Sequence, residues 1–92
     1  MPYFVYVLRS MRDGDLYTGM TSDIERRLRD HNGGKTRSLR HRRPLVLVYC
    51  EELETRSAAI AREYYFKTAD GGALKQRLVL QAGAAAGNSE GP

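Results

Sequence analysis

The residues best suited to chemistry are two tyrosines near the N-terminus and three polar side chains on two segments with helical spacing. Tyr6 and Tyr17 lie in stretches rich in aromatic and β-branched residues, and a hairpin would place them near each other across its strands. Arg27 and His31 belong to one helical segment, and Glu63 belongs to another. These candidate residues therefore include a side chain suited to binding an anion, Arg27, and one suited to binding a hard cation, Glu63.

The helical segment with Arg27 and His31 places both on the face that Ile24 and Leu28 should bury. An Arg on an apolar face is costly unless it has an anionic partner. Two plainer interpretations stay open. Arg27 can extend its stem over the core and keep its head in water, and His31 can be a cation near a helix C-terminus.

The second segment predicts an apolar arc formed by Ala59, Ile60, Tyr64 and Phe66, and Glu63 falls inside that arc. A carboxylate held there is a candidate ligand for Mg²⁺. An ordinary ion pair with Arg56 or Lys67 is the competing explanation. The tyrosines likewise have a plain alternative as packing residues of a sheet, and Gly19 either admits a ligand closely or marks the end of its strand.

The elements that position these side chains follow from hydrophobic spacing and turn residues. Ser22 or Asp23 is expected to cap the first helix and Thr55 the second, and Asp70-Gly71-Gly72 is expected to interrupt the chain. The order ββαβα plus a short α predicts an α/β (α+β) fold, a small three-stranded sheet with an antiparallel hairpin and flanking helices. The predicted strands are 3–9, 16–20 and 45–50, and the predicted helices are 24–31, 56–67 and 74–81.

Composition limits the class of protein. The chain has 92 residues, 41% hydrophobic and 28% charged, which fits one domain over residues 1–81 and a flexible C-terminal tail over 82–92. It has one cysteine, Cys50, which cannot form an intramolecular disulfide and fits a reducing compartment. The sequence shows no apolar run of membrane length and no secretory signal, so we expect a cytoplasmic protein without membrane contact.

Positive charge is concentrated after the first helix. Of 15 cationic residues most are Arg, whose planar fork matches phosphate geometry, and the net charge is +4. A solvated basic loop is the alternative to a nucleic-acid-binding surface. The candidate nucleic-acid-binding residues are Arg26, Lys35, Arg37, Arg40, His41, Arg42 and Arg43.

Taken together, these residues resemble the GIY-YIG nuclease family, in particular the small single-domain bacterial members and the branch of structure-specific endonuclease catalytic subunits. Phe4-Val5-Tyr6 and Tyr17-Thr18-Gly19 are similar to its two short motifs, although Phe4 replaces a Gly and Thr18 an Ile. Arg26–Gly34 resembles its Arg-bearing helix with the His-Asn-Gly-Gly stop, and Ala59–Lys67 its Glu-bearing helix.

The resemblance implies a central three-stranded antiparallel sheet and hydrolysis of DNA phosphodiesters that depends on one Mg²⁺ or Mn²⁺. It implies that Glu63 binds the metal and that Arg27 contacts the scissile phosphate. Tyr6 and Tyr17 would position or activate the attacking water, with assistance from His31. A phenol would need a nearby cation, such as Arg27 or the metal, to lower its pKa for that work.

Three functional hypotheses remain at this point. The first is an endonuclease that acts on branched or damaged DNA. The second is a non-catalytic nucleic-acid-binding module that uses the Arg-rich loop, and the third is a subunit that cuts only with a protein partner. Strand breaks that a chelator abolishes would distinguish the first from the second, and activity only with an added protein would favour the third.

Overall fold

A hairpin and a third strand form the predicted sheet. The computed structural model describes the backbone of residues 2–89 and the side chains of residues 2–83. Strands β1 (Tyr3–Ser10), β2 (Leu16–Thr21) and β3 (Leu45–Leu53) lie in the order β2-β1-β3, and both pairings are antiparallel. Each strand ends later than predicted, and a bulge between Val7 and Leu8 shifts the β1–β3 register.

The hairpin turn is tied to the segment that precedes β3. Ser10 is buried, and its hydroxyl donates to the carbonyl of Arg42 (2.6 Å) while it accepts from the backbone amides of Arg12 and Asp13. Gly14 has a φ of +79°, which a glycine adopts without strain. One small side chain therefore fixes both the turn and its neighbour.

Two helices begin at the predicted capping residues. Helix α1 (Ile24–Asn32) is capped by Asp23 rather than Ser22, and the Asp23 carboxylate accepts from the amide of Arg26 at 3.1 Å. Helix α2 (Arg56–Phe66) is capped by Thr55, which accepts from the amide of Ala58 at 3.1 Å. Each cap satisfies a backbone donor that the first helical turn leaves unpaired.

Helix α3 (Ala69–Ser89) is longer than the predicted helix over 74–81. Gly71 does not interrupt the chain: it is buried, and a Cβ there would collide with the carbonyl of Tyr65, so the glycine lets α3 start against the end of α2. The backbone of residues 82–89, predicted as tail, continues the helix, while 90–92 lie outside the described residues and flexibility of the tail stays a prediction. Within the described part of the chain, no helix combines the length and apolarity needed to cross a membrane.

The sheet separates two apolar layers, because alternate residues of β1 face opposite sides. Tyr6 and Leu8 face α1 and the segment before β3, whereas Val5 faces α2 and α3. Segment 35–43, predicted as a loop, contains a 3₁₀ helix over Arg37–Arg42 that buries Leu39 against the first layer. The first layer contains Tyr6, Leu8, Leu39, Leu45, Tyr17, Ile24 and Leu28, and the second contains Val5, Ala59, Phe66, Tyr3, Met20, Tyr49, Leu53, Leu74 and Leu78.

Candidate active site

Three aromatic rings meet where α1 packs over the hairpin. In the β1–β2 register Tyr6 is opposite Gly19 and Tyr17 is opposite Leu8, so both phenol rings lie on the α1 face of the sheet. The ring centroids are 6.4 Å apart for Tyr6 and Tyr17, 6.0 Å for Tyr6 and His31, and 5.5 Å for Tyr17 and His31. The hairpin and the first helix therefore bring together three residues that the sequence singled out.

Tyr6, His31 and Thr36 form a hydrogen-bonded chain through the buried imidazole. One hydrogen bond joins the Tyr6 hydroxyl to His31 Nε2 (2.9 Å), and another joins His31 Nδ1 to the Thr36 hydroxyl (2.7 Å). His31 is only 2% exposed, so it is not the solvated helix-end histidine of the plainer interpretation. Thr36 is a residue that sequence reasoning missed, since no motif marks it.

Gly19 provides the space that the Tyr6 ring occupies. It lies inside β2 and not at its end, and a Cβ added there would collide with the Tyr6 hydroxyl. The glycine is thus explained by a tyrosine of the same chain. A side chain at this position would push the phenol away from His31.

We expect Gly19→Ala to lower the free energy of unfolding by about 1–3 kcal/mol, because an added methyl overpacks a filled site. Thermal unfolding measures the loss, and Gly83→Ala in α3, where a Cβ meets nothing, is the matched control. In a Tyr6→Ala background the same Gly19→Ala change should cost much less. An equal cost in both backgrounds would contradict the contact.

Asn32 locks the end of α1 to the start of β3. Its side-chain amide donates to the carbonyl of Leu45 (2.9 Å), and its side-chain oxygen accepts from the amide of Leu45 (2.8 Å). Asn32 directly follows His31, so this pair of bonds fixes the backbone that carries the imidazole. The sequence marked Asn32 only as part of a helix stop.

Arg27 lies at the rim of the ring cluster. It is exposed, which corrects the expectation that its stripe of α1 is buried, yet it lines a small apolar pocket together with Tyr6 and Leu28. Among the described residues, its guanidinium has no hydrogen bond or ion pair. The group is therefore free to bind an anion beside the tyrosines.

Glu63 lies on α2, which packs on the other face of the sheet from the ring cluster, and its charge is among those that raise the pKa of Tyr6. The helix turns Ala59 and Phe66 to the sheet, so Glu63 at the margin of that face is partly buried, with a side chain 23% exposed. Its carboxylate accepts a hydrogen bond from Lys67 (2.8 Å), which is one of the two partners considered from the sequence. Ile60 and Tyr64 are 43% and 75% exposed, so their assignment to the buried arc was wrong.

A polar anchor holds α2 on the sheet. Arg62 donates to the carboxylate of Glu51 on β3, and its guanidinium lies 4.5 Å from the centre of the Phe66 ring. The hydroxyl of Tyr49 donates to the same carboxylate at 2.6 Å. Because Arg62 adjoins Glu63, this anchor also positions the candidate metal ligand.

Burial controls the protonation of the ring cluster. It raises the pKa of Tyr6 well above the usual value of 10; Tyr17 and Glu63 act in the same direction, and Arg27 opposes them. Burial also lowers the pKa of His31 below 6.5, assisted by Arg27 and partly offset by Asp30. A neutral imidazole beside a protonated phenol is therefore expected near pH 7, and Arg27 alone does not lower the pKa of Tyr6 as the sequence argument required.

The depressed pKa of His31 makes stability depend on pH. The unfolded chain takes up a proton on this residue at a higher pH than the folded chain, so its contribution is complete above about pH 6.5 and is lost as the pH falls. The unfolding free energy of wild type should decline relative to His31→Gln by up to about 1.4 kcal/mol per pH unit in that window. Urea unfolding between pH 5 and 7.5 measures the free energy of unfolding, and the control His41→Gln, at an exposed position, should follow the wild-type profile. Parallel profiles for wild type, His31→Gln and His41→Gln would contradict a contribution of His31 to the pH dependence.

A metal ion would find one protein carboxylate in this site. Among the described residues no group of three His, Cys, Asp or Glu side chains could hold a metal. Mg²⁺ commonly keeps several waters and uses one or two carboxylates with substrate phosphates. Glu63 fits that mode of binding, once Lys67 yields its place on the carboxylate.

Most of the predicted nucleic-acid-binding residues have partners within the protein. Arg26 and Lys35 lie 4.0 and 3.4 Å from the carboxylate of Asp30, and Arg42 lies 3.4 Å from Asp13. Arg40 donates to the carbonyl of Gly34, and Arg43 donates to the carbonyls of Arg40 and Asn32. Arg37 and His41 are exposed without a polar side-chain partner in the described chain.

A model of the GIY-YIG catalytic domain matches residues 2–75 of the chain, from β1 into α3. The chain belongs to the GIY-YIG family. The matched region contains every candidate catalytic residue as well as Asn32 and Thr36, and the recognised fold of three antiparallel strands with helices is confirmed. Because this is a family of nucleases, the domain is of a nuclease type.

This GIY-YIG domain is similar to small proteins named only by their family number. A UPF0213 protein from Staphylococcus saprophyticus is 43% identical over 67 residues, which is 72% of this chain and 80% of the relative. One from Haloquadratum walsbyi is 45% identical over 67 residues, covering 72% and 74%. The solution NMR structure of a UPF0213 protein from Bacillus halodurans has a TM-score of 0.55 and 33% identity, covering 90% of this chain and 88% of that one.

Proposed function

We propose that this GIY-YIG domain is a divalent-metal-dependent DNA endonuclease. The observation that carries the proposal is the convergence of two phenols and a buried imidazole in one cluster, with an unpaired guanidinium at its rim. Each of these groups has a use in phosphodiester hydrolysis. Packing alone does not explain why they share one place.

The roles follow from charge and reach. Arg27 contacts the scissile phosphate, since its guanidinium offers two parallel donors where negative charge builds on the non-bridging oxygens. Tyr17 lies on the edge strand β2, partly buried beside the His31 ring, and orients the attacking water. Glu63 would hold Mg²⁺ or Mn²⁺, and the ion would stabilise the charge of the phosphate.

The hydrogen-bonded chain supplies a path for the proton. When the imidazole carries its proton on Nδ1 and donates it to Thr36, Nε2 accepts from the Tyr6 hydroxyl. As the attacking water gives a proton to the Tyr6 oxygen, that oxygen passes its own proton to His31. A phenol with a raised pKa suits this relay, because it never has to persist as a phenolate.

The substrate class is a further part of the proposal. We infer that the enzyme takes branched or damaged DNA during repair, in the cytoplasm, and that a protein partner supplies specificity. A panel of linear, nicked, flapped and four-way DNA, with Mg²⁺, Mn²⁺ or a chelator, tests this. Strand breaks that appear only with the metal and on the distorted substrates are expected, and no cleavage with either metal, alone or with cell extract, would refute an endonuclease.

A non-catalytic nucleic-acid-binding module is the second candidate, and the ion pair between Lys67 and Glu63 favours it. In that case the carboxylate only stabilises α2, through its ion pair with Lys67, and binds no metal. Binding that weakens with salt is common to both functions. Cleavage lost on chelation belongs to the nuclease alone.

The basic segment gives a prediction on binding. Reversing charge at Arg40, Arg42 and Arg43 would also disturb the fold, because Arg40 and Arg43 bind carbonyls at and just after the end of α1 and Arg42 lies beside Asp13 in the hairpin turn. Arg37→Glu is a simpler test, because the exposed Arg37 side chain has no polar partner in the described chain. It should lower the affinity for DNA of any sequence several-fold and reduce the dependence of log K on log salt concentration by about 1 or more. Fluorescence anisotropy measures both, with exposed Arg77→Glu as control; an unchanged slope would place Arg37 away from DNA.

A further inference from the structure

A basic cavity lies on the opposite side of β2 from the tyrosines. It occupies about 530 Å³ between the hairpin end and α3, and its cations are Arg9, Arg42 and Lys75. Asp15 is the acidic residue of its lining, so positive charge prevails. Nothing in the proposed reaction at Glu63 and Arg27 uses this cavity.

Arg9 and Lys75 are available to a ligand. Among the described residues Arg9 has no hydrogen bond or ion pair, and Lys75 donates only to the neutral hydroxyl of Thr18, at 3.1 Å. The Nε atom of Arg42 is buried without a hydrogen-bond acceptor, although the carboxylate of Asp13 lies 3.4 Å away. A buried donor without an acceptor is costly, and an anion in the cavity would satisfy it.

The wall of the cavity suits a nucleotide better than a bare ion. Leu16, Val79 and Leu80 add apolar surface to the lining beside the cations, and Leu80 is 71% exposed. Arginine forks match phosphate oxygens, and an apolar wall covers a sugar or a base. The combination therefore suits a phosphate that carries a nucleoside.

The cavity is connected to the candidate active site by charge and by the edge strand. Lys75 lies near Lys67, whose charge contributes with burial to a lowered pKa of Lys75, and Lys67 contacts Glu63. In the described sheet β2 is an edge strand, with Tyr17 on one face and the Lys75 contact to Thr18 on the other. A nucleic-acid strand that passes around this edge reaches both places.

We propose that this cavity is a second phosphate-binding site, which holds a backbone phosphate of the substrate strand away from the bond that is cut. The inference rests on the proposed function for the identity of the ligand as nucleic acid. It adds that the substrate is a strand bent around the edge of the sheet. A flap or a branch has such a strand, whereas an undistorted duplex does not.

The test measures binding without cleavage, so it stays readable if the protein cuts nothing. A fluorescent single-stranded 20-mer is titrated in the presence of a chelator against wild type, Arg9→Gln, Lys75→Gln and the control Arg77→Gln. Arg77 lies exposed on the same helix as Lys75 and does not line the cavity. Thermal unfolding verifies that each variant is folded, and Arg9→Gln breaks no side-chain hydrogen bond or ion pair among the described residues.

Arg9→Gln and Lys75→Gln are each expected to raise Kd about 3–10-fold and to lower the salt slope by about 0.7, while Arg77→Gln stays within about twofold of wild type. Equal losses for Arg9→Gln and Arg77→Gln would overturn the site, since general charge would then explain binding. Calorimetry with AMP and with inorganic phosphate separates the sources of phosphate. Binding of either one more tightly than the 20-mer, abolished in Arg9→Gln, would make the cavity a small-molecule site and overturn the strand proposal.

Discussion

Glu63→Gln should reduce metal-dependent DNA cleavage by about 10³-fold or more, because the loss of several kcal/mol of charge stabilisation at the phosphate has that effect on the rate. Gln keeps the size and one oxygen of the side chain but removes the negative charge that a hard cation requires. The fold should survive. The pair with Lys67 is an exposed contact four residues apart on one helix, which is worth only about 0.3–0.5 kcal/mol.

The control for this experiment is Glu54→Gln, which removes the same charge from an exposed position just before α2. The cleavage assay is run on the preferred substrate of the panel across a range of Mg²⁺ and Mn²⁺ concentrations. DNA binding in chelator should be unchanged or slightly tighter for Glu63→Gln, because a negative charge is gone. If Glu63→Gln cleaves DNA at the same rate as Glu54→Gln, Glu63 does not take part in the reaction.

The hairpin shows what a sequence determines well. Alternation along a strand has a period of two, so the residues around a turn fix both the pairing and the face of each side chain. Tyr6 and Tyr17 were expected near each other for this reason, and the register with Gly19 and Leu8 places their rings together. The spacing of residues along α1 likewise predicted that His31 lies on the face of the helix that packs on the sheet.

Long-range contacts between side chains and backbone were not predictable in the same way. Asn32 binds Leu45 across the intervening basic segment, and Thr36 reaches back to His31. A local pattern carries no information on which carbonyl a side chain finds. The prediction that Gly71 interrupts the chain was wrong for a related reason. From sequence alone, a glycine that permits close packing of two helices cannot be distinguished from one that ends a helix.

Protonation was the other property that spacing did not reveal. The sequence argument sought a cation that would lower the pKa of a tyrosine, and the structure places Arg27 near enough to act on Tyr6. Burial outweighs it, however, because removing a phenolate from water costs more than a partly solvated guanidinium returns. Because the raised pKa disfavours a phenolate at Tyr6, we propose that Tyr6 relays a proton to His31 and does not act as the base itself.

Arg27→Ala should lower the cleavage rate by about 10²–10³-fold, which is typical for the loss of one preorganised group that stabilises a charged transition state. Arg27→Lys should recover only part of that loss, since an ammonium provides charge without the planar pair of donors that matches phosphate oxygens. Single-turnover kinetics at saturating enzyme separates this effect from weaker binding. Exposed Arg29→Ala on the same helix is the matched control.

Arg27 also touches the protonation of the ring cluster, and this gives its substitution a second signature. Its charge lowers the pKa of His31, so Arg27→Ala should move the titration of that imidazole upward, by an amount that NMR of the His31 ring measures directly. Arg29→Ala should leave it in place. A cleavage rate reduced equally by both substitutions, with no movement of the His31 titration, would show that Arg27 contributes only general positive charge and does not act at the phosphate.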